Sequence, residues 1–321
     1  MDLLFIGMIR FGVKTSQAAE YGDYPTLREV WLEAERLGFH SGWLFDHFFE
    51  LPGKGPSVEP CLEAWTALSA LGAETKKLRL GITVTCVTYR NPAVLAKMAS
   101  TLDVISGGRV EFGIGAGWAS VEHAAYGIPF EKPAVRVAKL REAIRIVKRM
   151  WTEDKATYKG KYYTVMDAVC NPKPVQKPHP PIWVGGGGEK LTLRVVAELA
   201  NGCNFISLSP EEYRHKLEVL EGHCSKVGRN VNEIQKSWQG RVLMAKDDAE
   251  LKEKLQRFGM PPRDLQRANI VGTPEQCVET IAQYVELGVT CFVLVFPEVT
   301  KNLGCLEEFR EKVISRFSAS T

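Results

Sequence analysis

Several familiar signatures are missing from this chain, and each absence removes a class of function. No stretch approaches the roughly 20 apolar residues that a membrane-spanning helix needs. The opening Leu3–Ile9 run has no basic flank or small-residue cleavage site, so it reads as a first strand rather than a leader. The eight cysteines contain no CxxC pair and no zinc spacing. Cys86, Cys203, Cys277 and Cys291 sit inside apolar runs, the pattern of reduced core thiols in a cytoplasmic protein. The six histidines include no HExxH, so no protein-bound metal is expected. Walker A is absent. A formal net charge of +3 is too small to argue for nucleic acid or a membrane surface. That charge is compatible with an anionic small ligand and does not establish one.

What is present is a repeating strand-then-helix pattern without any linker-like stretch. Short apolar runs occur at Ser41–Phe45, Leu78–Thr85, Arg109–Ile114, Pro181–Gly185, Gly202–Ile206, Ser237–Met244 and Thr290–Phe296. The helices between them carry punctuation. Thr26 with Glu29 suggests a capping box, and Gly38 a stop. Asn91-Pro92 opens a helix closed by Ser106-Gly107-Gly108, and Ser209-Pro210 and Thr273-Pro274 open two more. Another runs from about Arg136 to Trp151. Such alternation predicts parallel strands with crossover helices, and counting the first strand gives eight. A doubly wound sheet should carry a Gly-rich fingerprint after its first strand, and none follows. The expected fold is a single (β/α)₈ barrel over residues 1–321, with loop insertions at the C-terminal face where the chemistry of such barrels sits.

Four strand ends stand out, one of them the third, which ends Gly81-Ile82-Thr83-Val84-Thr85-Cys86. The second is followed by Asp46-His47-Phe48-Phe49. His47 offers an imidazole for proton transfer near neutral pH, or a structural histidine; Asp46 could orient it, bind a cofactor, or cap a helix. The fourth strand runs into Gly113–Trp118, with Glu122 beyond. That run fails as a nicotinamide fingerprint because Trp118 replaces its last glycine, but it would let a ring lie against backbone. Glu122 is a second acid–base candidate or an exposed helix glutamate. Gly185-Gly186-Gly187-Gly188, opening into a helix with Lys190 just inside, reads as a phosphate cradle; a flexible turn with a solvated lysine is the alternative. Phe48 and Trp118 suggest an apolar substrate wall, or core packing. A lyase or aldolase barrel would want a lysine at a strand end, and none is evident.

Trp43–Phe48, Thr85 through Arg90-Asn91-Pro92, Leu102–Arg109, Gly113–Trp118 and Pro181–Gly186 together resemble the luciferase-like monooxygenase superfamily, most closely its coenzyme F420-dependent oxidoreductases. The resemblance runs from Asp46 to Val271–Gln276 and implies hydride transfer between the deazaflavin F420 and a small organic molecule. FMN is the alternative cofactor, and a non-catalytic flavin-binding protein a further one. In the glucose-6-phosphate dehydrogenases of that branch, positions matching Asp46, Cys86, Ala116, Gly117, Gly187, Gly188 and Lys190 contact the cofactor. The position matching His47 has an acid–base role there. The resemblance also implies a non-proline cis peptide at Thr83–Val84, behind the ring. It implies a homodimer through helices near Pro60–Glu74 and Pro92–Ile105, where Trp65, Leu68 and Leu71 look like surplus apolar surface. The branch's catalytic glutamate falls at Trp118 and a cofactor-binding asparagine at Val121. These departures argue against sugar-phosphate oxidation and for a flatter, more apolar substrate.

Overall fold

In the computed structural model, which describes residues 8–18, 22–51, 57–262 and 268–317, parallel strands close into a ring. The strands are β1 (Arg10–Lys14), β2 (Ser41–Leu44), β3 (Arg79–Ile82), β4 (Thr85–Cys86), β5 (Val110–Gly115) and β6 (Ala156–Lys159). They continue with β7 (Thr164–Ala168), β8 (Ile182–Gly185), β9 (Gly202–Ile206), β10 (Gln235–Met244), β11 (Ile270–Gly272) and β12 (Cys291–Val295). The ring order is β1–β2–β3–β5–β8–β9–β10–β12, with β12 pairing back onto β1. This is the closed eight-stranded barrel that the alternation predicts. The helices are α1 (Tyr24–Arg36), α2 (Ala64–Glu74), α3 (Pro92–Ile105), α4 (Ser120–Ala125) and α5 (Pro133–Thr152). After them come α6 (Thr192–Leu199), α7 (Pro210–Val227), α8 (Asp248–Arg257), α9 (Pro274–Glu286) and α10 (Gly304–Lys312).

Side chains alternate across each strand, so one set faces the helices and the other the barrel axis. Phe11, Val13, Leu80, Ile82, Phe112, Ile114, Ile182, Val184, Phe292 and Leu294 join the large core between sheet and helices. Each such buried side chain contributes roughly 1.5–3 kcal/mol from area removed from water. Trp43, Trp183, Cys291 and Val293 form a separate cluster on the axis. Two tryptophans fit there because Gly81 and Gly202 stand beside them: a Cβ at either would come within 2.2 and 2.3 Å of an indole carbon. Glu111 of β5 links its two neighbouring strands, accepting from the Trp183 indole of β8 at 2.6 Å and pairing with Arg79 of β3.

Three boundaries differ from the sequence reading. Of Leu3–Ile9, residues 3–7 lie outside the described residues; among those described, the first strand of the barrel is Arg10–Lys14. Helix α1 is capped by Asp23, whose side chain accepts from the Thr26 amide, so Thr26 lies inside the first turn and forms no capping box with Glu29. The glycine loop does not open straight into a helix either; α6 starts at Thr192. The boxes at Ser209–Glu212 and Thr273–Gln276 both form. Between α5 and β8 lies a hairpin, β6–β7, whose turn is tied to α5 by Glu142: its carboxylate accepts from the Lys161, Tyr162 and Tyr163 amides at 2.8–3.0 Å.

Arg109 holds the lower barrel together. Its buried guanidinium donates to the carbonyls of Gly72, Thr75, Leu78 and Ser106 and to the Thr75 hydroxyl, at 2.6–2.9 Å. One cation thereby serves the C-terminal ends of α2 and α3, where the helix dipoles favour positive charge. Trp65, Leu68 and Leu71 are also claimed by this core, each 3% exposed or less, so they are not spare surface for a partner. On α3, Val94, Val104 and Ile105 do remain exposed.

Candidate active site

The β2 strand ends at Leu44, and the chain then delivers Phe45, Asp46 and His47 to the C-terminal mouth. Asp46 is buried. Both of its oxygens receive Arg90 at 2.8 and 2.9 Å, and one also accepts the Cys86 amide at 2.9 Å. Burial pushes this carboxyl up, and the Arg90 charge and these hydrogen bonds oppose that. Arg90 reaches Glu63 as well, so one guanidinium links the ends of β2 and β4 to the start of α2.

His47 is held by a partner 75 residues away. Its Nδ1 lies 2.6 Å from Oε2 of Glu122 on α4, a residue with no solvent exposure. The same carboxylate accepts from the Tyr89 hydroxyl at 2.6 Å and the Phe48 amide at 2.5 Å. Burial raises the Glu122 carboxyl, but hydrogen bonds from His47, Tyr89 and Phe48 outweigh it and hold the group below the usual glutamate range. An ionised acceptor requires the proton on His47 Nδ1, which leaves Nε2 with no partner among the described residues. Phe45 and Trp118 stand edge-on to the imidazole, with ring centroids 5.0 and 5.5 Å away. Trp118 is 67% exposed, so it walls the open side rather than filling core.

A second polar chain lies beside the first. His123 Nδ1 is 2.8 Å from the Ala119 carbonyl, so that nitrogen donates and Nε2 accepts from the Thr88 hydroxyl at 2.7 Å. Thr88 Oγ1 in turn receives the Cys86 thiol at 3.1 Å. Burial pushes that thiol up, away from thiolate chemistry. Gly117 has φ +78 and faces this chain, where a Cβ would come 2.5 Å from Cys86 Sγ.

The Thr83–Val84 peptide is cis. Thr83 Oγ1 donates to Gln239 at 2.7 Å, which also takes Asn204 Nδ2 at 3.1 Å. The Val84 side chain occupies the space where Cβ atoms of Gly115 and Gly185 would stand, at 2.6 and 2.7 Å. Gly185 is thus a packing glycine. The open part of the loop is Gly186–Gly187, where a Cβ would meet nothing closer than 3.5 Å. The lysine beside it is Lys216 of α7, paired with Glu189 at 2.5 Å; Lys190 is exposed. Phe48 lies against Tyr89 and Tyr126, centroids 4.6 and 4.3 Å away. Ala116 is partly exposed at the end of β5.

The barrel therefore brings Asp46, His47, Thr83, Val84, Cys86, Ala116, Gly117, Trp118 and Glu122 around one mouth, with Gly185–Gly188 at the next strand end. Tyr89, Arg90, Thr88 and His123 were not singled out from the sequence, although Tyr89-Arg90 falls within the Thr85–Pro92 segment. The absence of a strand-end lysine is also corrected: Lys14 is the last residue of β1.

Residues 1–267 match the luciferase-like monooxygenase family. The chain belongs to that family. Among luciferase-like relatives, an F420-dependent glucose-6-phosphate dehydrogenase of Microbacterium testaceum is 33% identical, over 87% of this chain and 89% of its own length. Another, from Amycolatopsis mediterranei, is 30% identical over 97% and 99%. The fold agrees with an F420-dependent secondary alcohol dehydrogenase at TM-score 0.81 and 20% identity, covering 96% of this chain and 99% of that one. A coenzyme F420-dependent tetrahydromethanopterin reductase of Methanopyrus kandleri superposes equally well at 21% identity, over 97% and 100%.

Proposed function

We propose that this luciferase-like barrel is an F420-dependent oxidoreductase that transfers a hydride between the deazaflavin and a small organic substrate. The carrying observation is His47 fixed through Nδ1 on a buried carboxylate, with Nε2 unpartnered among the described residues at the mouth beside exposed Trp118. Relatives at 30–33% identity over most of both lengths support the choice of cofactor. The residues present suit it. Gly186 and Gly187 leave backbone open at a strand end beside Lys216, a fitting place for a phosphate. When bound, the deazaflavin supplies the hydride-carrying carbon.

The chain's own residues do the rest. His47 Nε2 gives or takes the accompanying proton, and Glu122 keeps its imidazole in the tautomer that allows this. With every oxygen already engaged and no exposure, Glu122 acts by orienting His47 rather than by meeting substrate. Arg90, through Asp46, holds the β2 and β4 ends in register, and Trp118 offers a flat wall. The finer readings are a homodimer, supported by exposed Val94, Val104 and Ile105 on α3, and a cytoplasmic setting, supported by cysteines that are mostly buried in the core.

The test titrates F420 and FMN separately, following fluorescence, then mixes the chain with each reduced cofactor and a panel of carbonyl and alcohol substrates. F420 should bind and turn over, and His47→Ala should slow hydride transfer by about a hundredfold or more with cofactor affinity little changed. Binding of FMN in preference to F420 would overturn the cofactor. Near-normal transfer in His47→Ala would remove its proton role.

A further inference from the structure

The mouth holds a second group of charges that the hydride-transfer reading leaves unused. On β1, Phe11 and Val13 turn outward into the core, so Arg10, Gly12 and Lys14 face the barrel axis. On β10, Trp238 packs outward while Ser237 and Gln239 bond to Asn204 within the barrel, so Arg241 lies on the axial face one step nearer the mouth. Register then sets the two cations in one row. Val13 pairs with Leu294, so Lys14 comes level with Val295, and Val295 pairs with Arg241. Two strand spacings, roughly 10 Å between Cα atoms, separate them, within reach of two long side chains converging on a single group.

Neither cation has a carboxylate partner among the described residues. Lys14 is partly buried, and its Nζ lies 5.5 Å from the centroid of the Phe45 ring; Arg241 is exposed at the opening. The acids of the barrel are taken: Asp46 by Arg90, Glu122 by His47 and Tyr89, Glu111 by Arg79 and Trp183. Burial, reinforced by the nearby Arg241 charge, draws the Lys14 ammonium down to about 8. A desolvated ammonium with a like charge beside it carries a standing cost that a bound anion would relieve.

We propose that Lys14 and Arg241 form an anion subsite of the substrate pocket, receiving the carboxylate or phosphate of a substrate whose flat, reacting part lies toward His47 and Trp118. This rests on the mouth being the hydride-transfer site. Arg offers paired donors that match an oxyanion's geometry, and Lys a point charge. Together they fix which end of the molecule points at His47.

The test uses benzoate and inorganic phosphate as probes and acylation of Lys14 with acetic anhydride, read by peptide mass spectrometry with exposed Lys190 as the reference. It needs no cofactor, so it stands or falls apart from the F420 assignment. Saturating benzoate or phosphate should slow Lys14 acylation at least about fivefold while Lys190 is unchanged. Arg241→Gln should abolish the protection, and Arg241→Lys should restore most of it, which separates lost charge from misfolding. Once a turned-over anionic substrate is in hand, Arg241→Gln should raise its KM about tenfold with F420 affinity within twofold. No protection of Lys14 by either probe would overturn the subsite. So would protection by F420 alone, or loss of F420 affinity in Arg241→Gln, since the pair would then belong to the cofactor.

Discussion

Replacing Glu122 with Gln removes one charge and almost no volume, so it isolates what the buried carboxylate does. In the wild-type chain three donors converge on it: His47 Nδ1 at 2.6 Å, the Tyr89 hydroxyl at 2.6 Å and the Phe48 amide at 2.5 Å. Glutamine brings a single acceptor oxygen and an NH₂ group, whereas in the wild type His47 Nδ1 and the Tyr89 hydroxyl share Oε2 while the Phe48 amide takes Oε1. With the oxygen on the Phe48 amide, the NH₂ group confronts His47 and the Tyr89 hydroxyl, of which only the hydroxyl can rotate to accept from it. The imidazole must turn or adopt its other tautomer, with the proton on Nε2. A hydrogen bond to a charged group is worth roughly 1.5–3 kcal/mol. Losing about 2 kcal/mol of orientation at the reacting step corresponds to roughly 30-fold in rate. Single-turnover absorbance on F420-loaded protein should therefore find hydride transfer slowed about 10- to 100-fold, with F420 affinity within twofold. The double variant with His47→Ala should be no slower than His47→Ala alone, because Glu122 acts through that imidazole. A rate within twofold of wild type, or additive losses in the double variant, would refute the coupling.

The same variant carries a stability prediction with a definite sign. Glu122 is held below its ordinary value of 4.5, so its contribution is present above that pH and lost as pH falls through the lower folded-state value. Glu122→Gln should lower Tm at pH 7 and much less at pH 3, by thermal scans in each buffer. Arg109→Met should cost about 3–5 kcal/mol in urea unfolding, since it leaves carbonyls of two helix ends without a buried donor; a loss below 1 kcal/mol would show those carbonyls satisfied otherwise. Gly187→Val should weaken F420 binding by at least about 1 kcal/mol, whereas Tm should hardly move because a Cβ there meets only Lys216 methylenes at 3.5 Å. Sedimentation of the wild-type chain at micromolar concentration should find a dimer, and Val104→Lys should shift it toward monomer.

Most of the barrel can be read from hydrophobic patterning because parallel strands covered on both faces leave dense apolar runs. Ser41–Phe45, Gly202–Ile206 and Thr290–Phe296 all fall within one residue of the observed strands. The barrel strand Arg10–Lys14 is hard to read from the sequence because Arg10 and Lys14, which face the axis, break its apolar pattern. The hairpin escaped because its strands are mostly exposed and polar, and its stabilising group, Glu142, sits on α5. At the site, His47 and Asp46 could be picked out by their place after a strand. Glu122 could be named as a candidate but not as the partner of His47: it lies 75 residues away, and only the barrel's closure decides that Glu122 rather than solvent receives Nδ1.

Val84 has a consequence for how this chain can change. Its two methyl groups stand in the places that side chains at Gly115 and Gly185, on two other strands, would require. An alanine at either position would face a stiff β-branched neighbour at about van der Waals overlap, an overpacking worth roughly 1–3 kcal/mol. Shortening Val84 to Ala first removes both obstacles. Substitutions at these glycines should therefore survive only in one order, after residue 84 has shrunk, so that three distant positions behave as a single inherited trait.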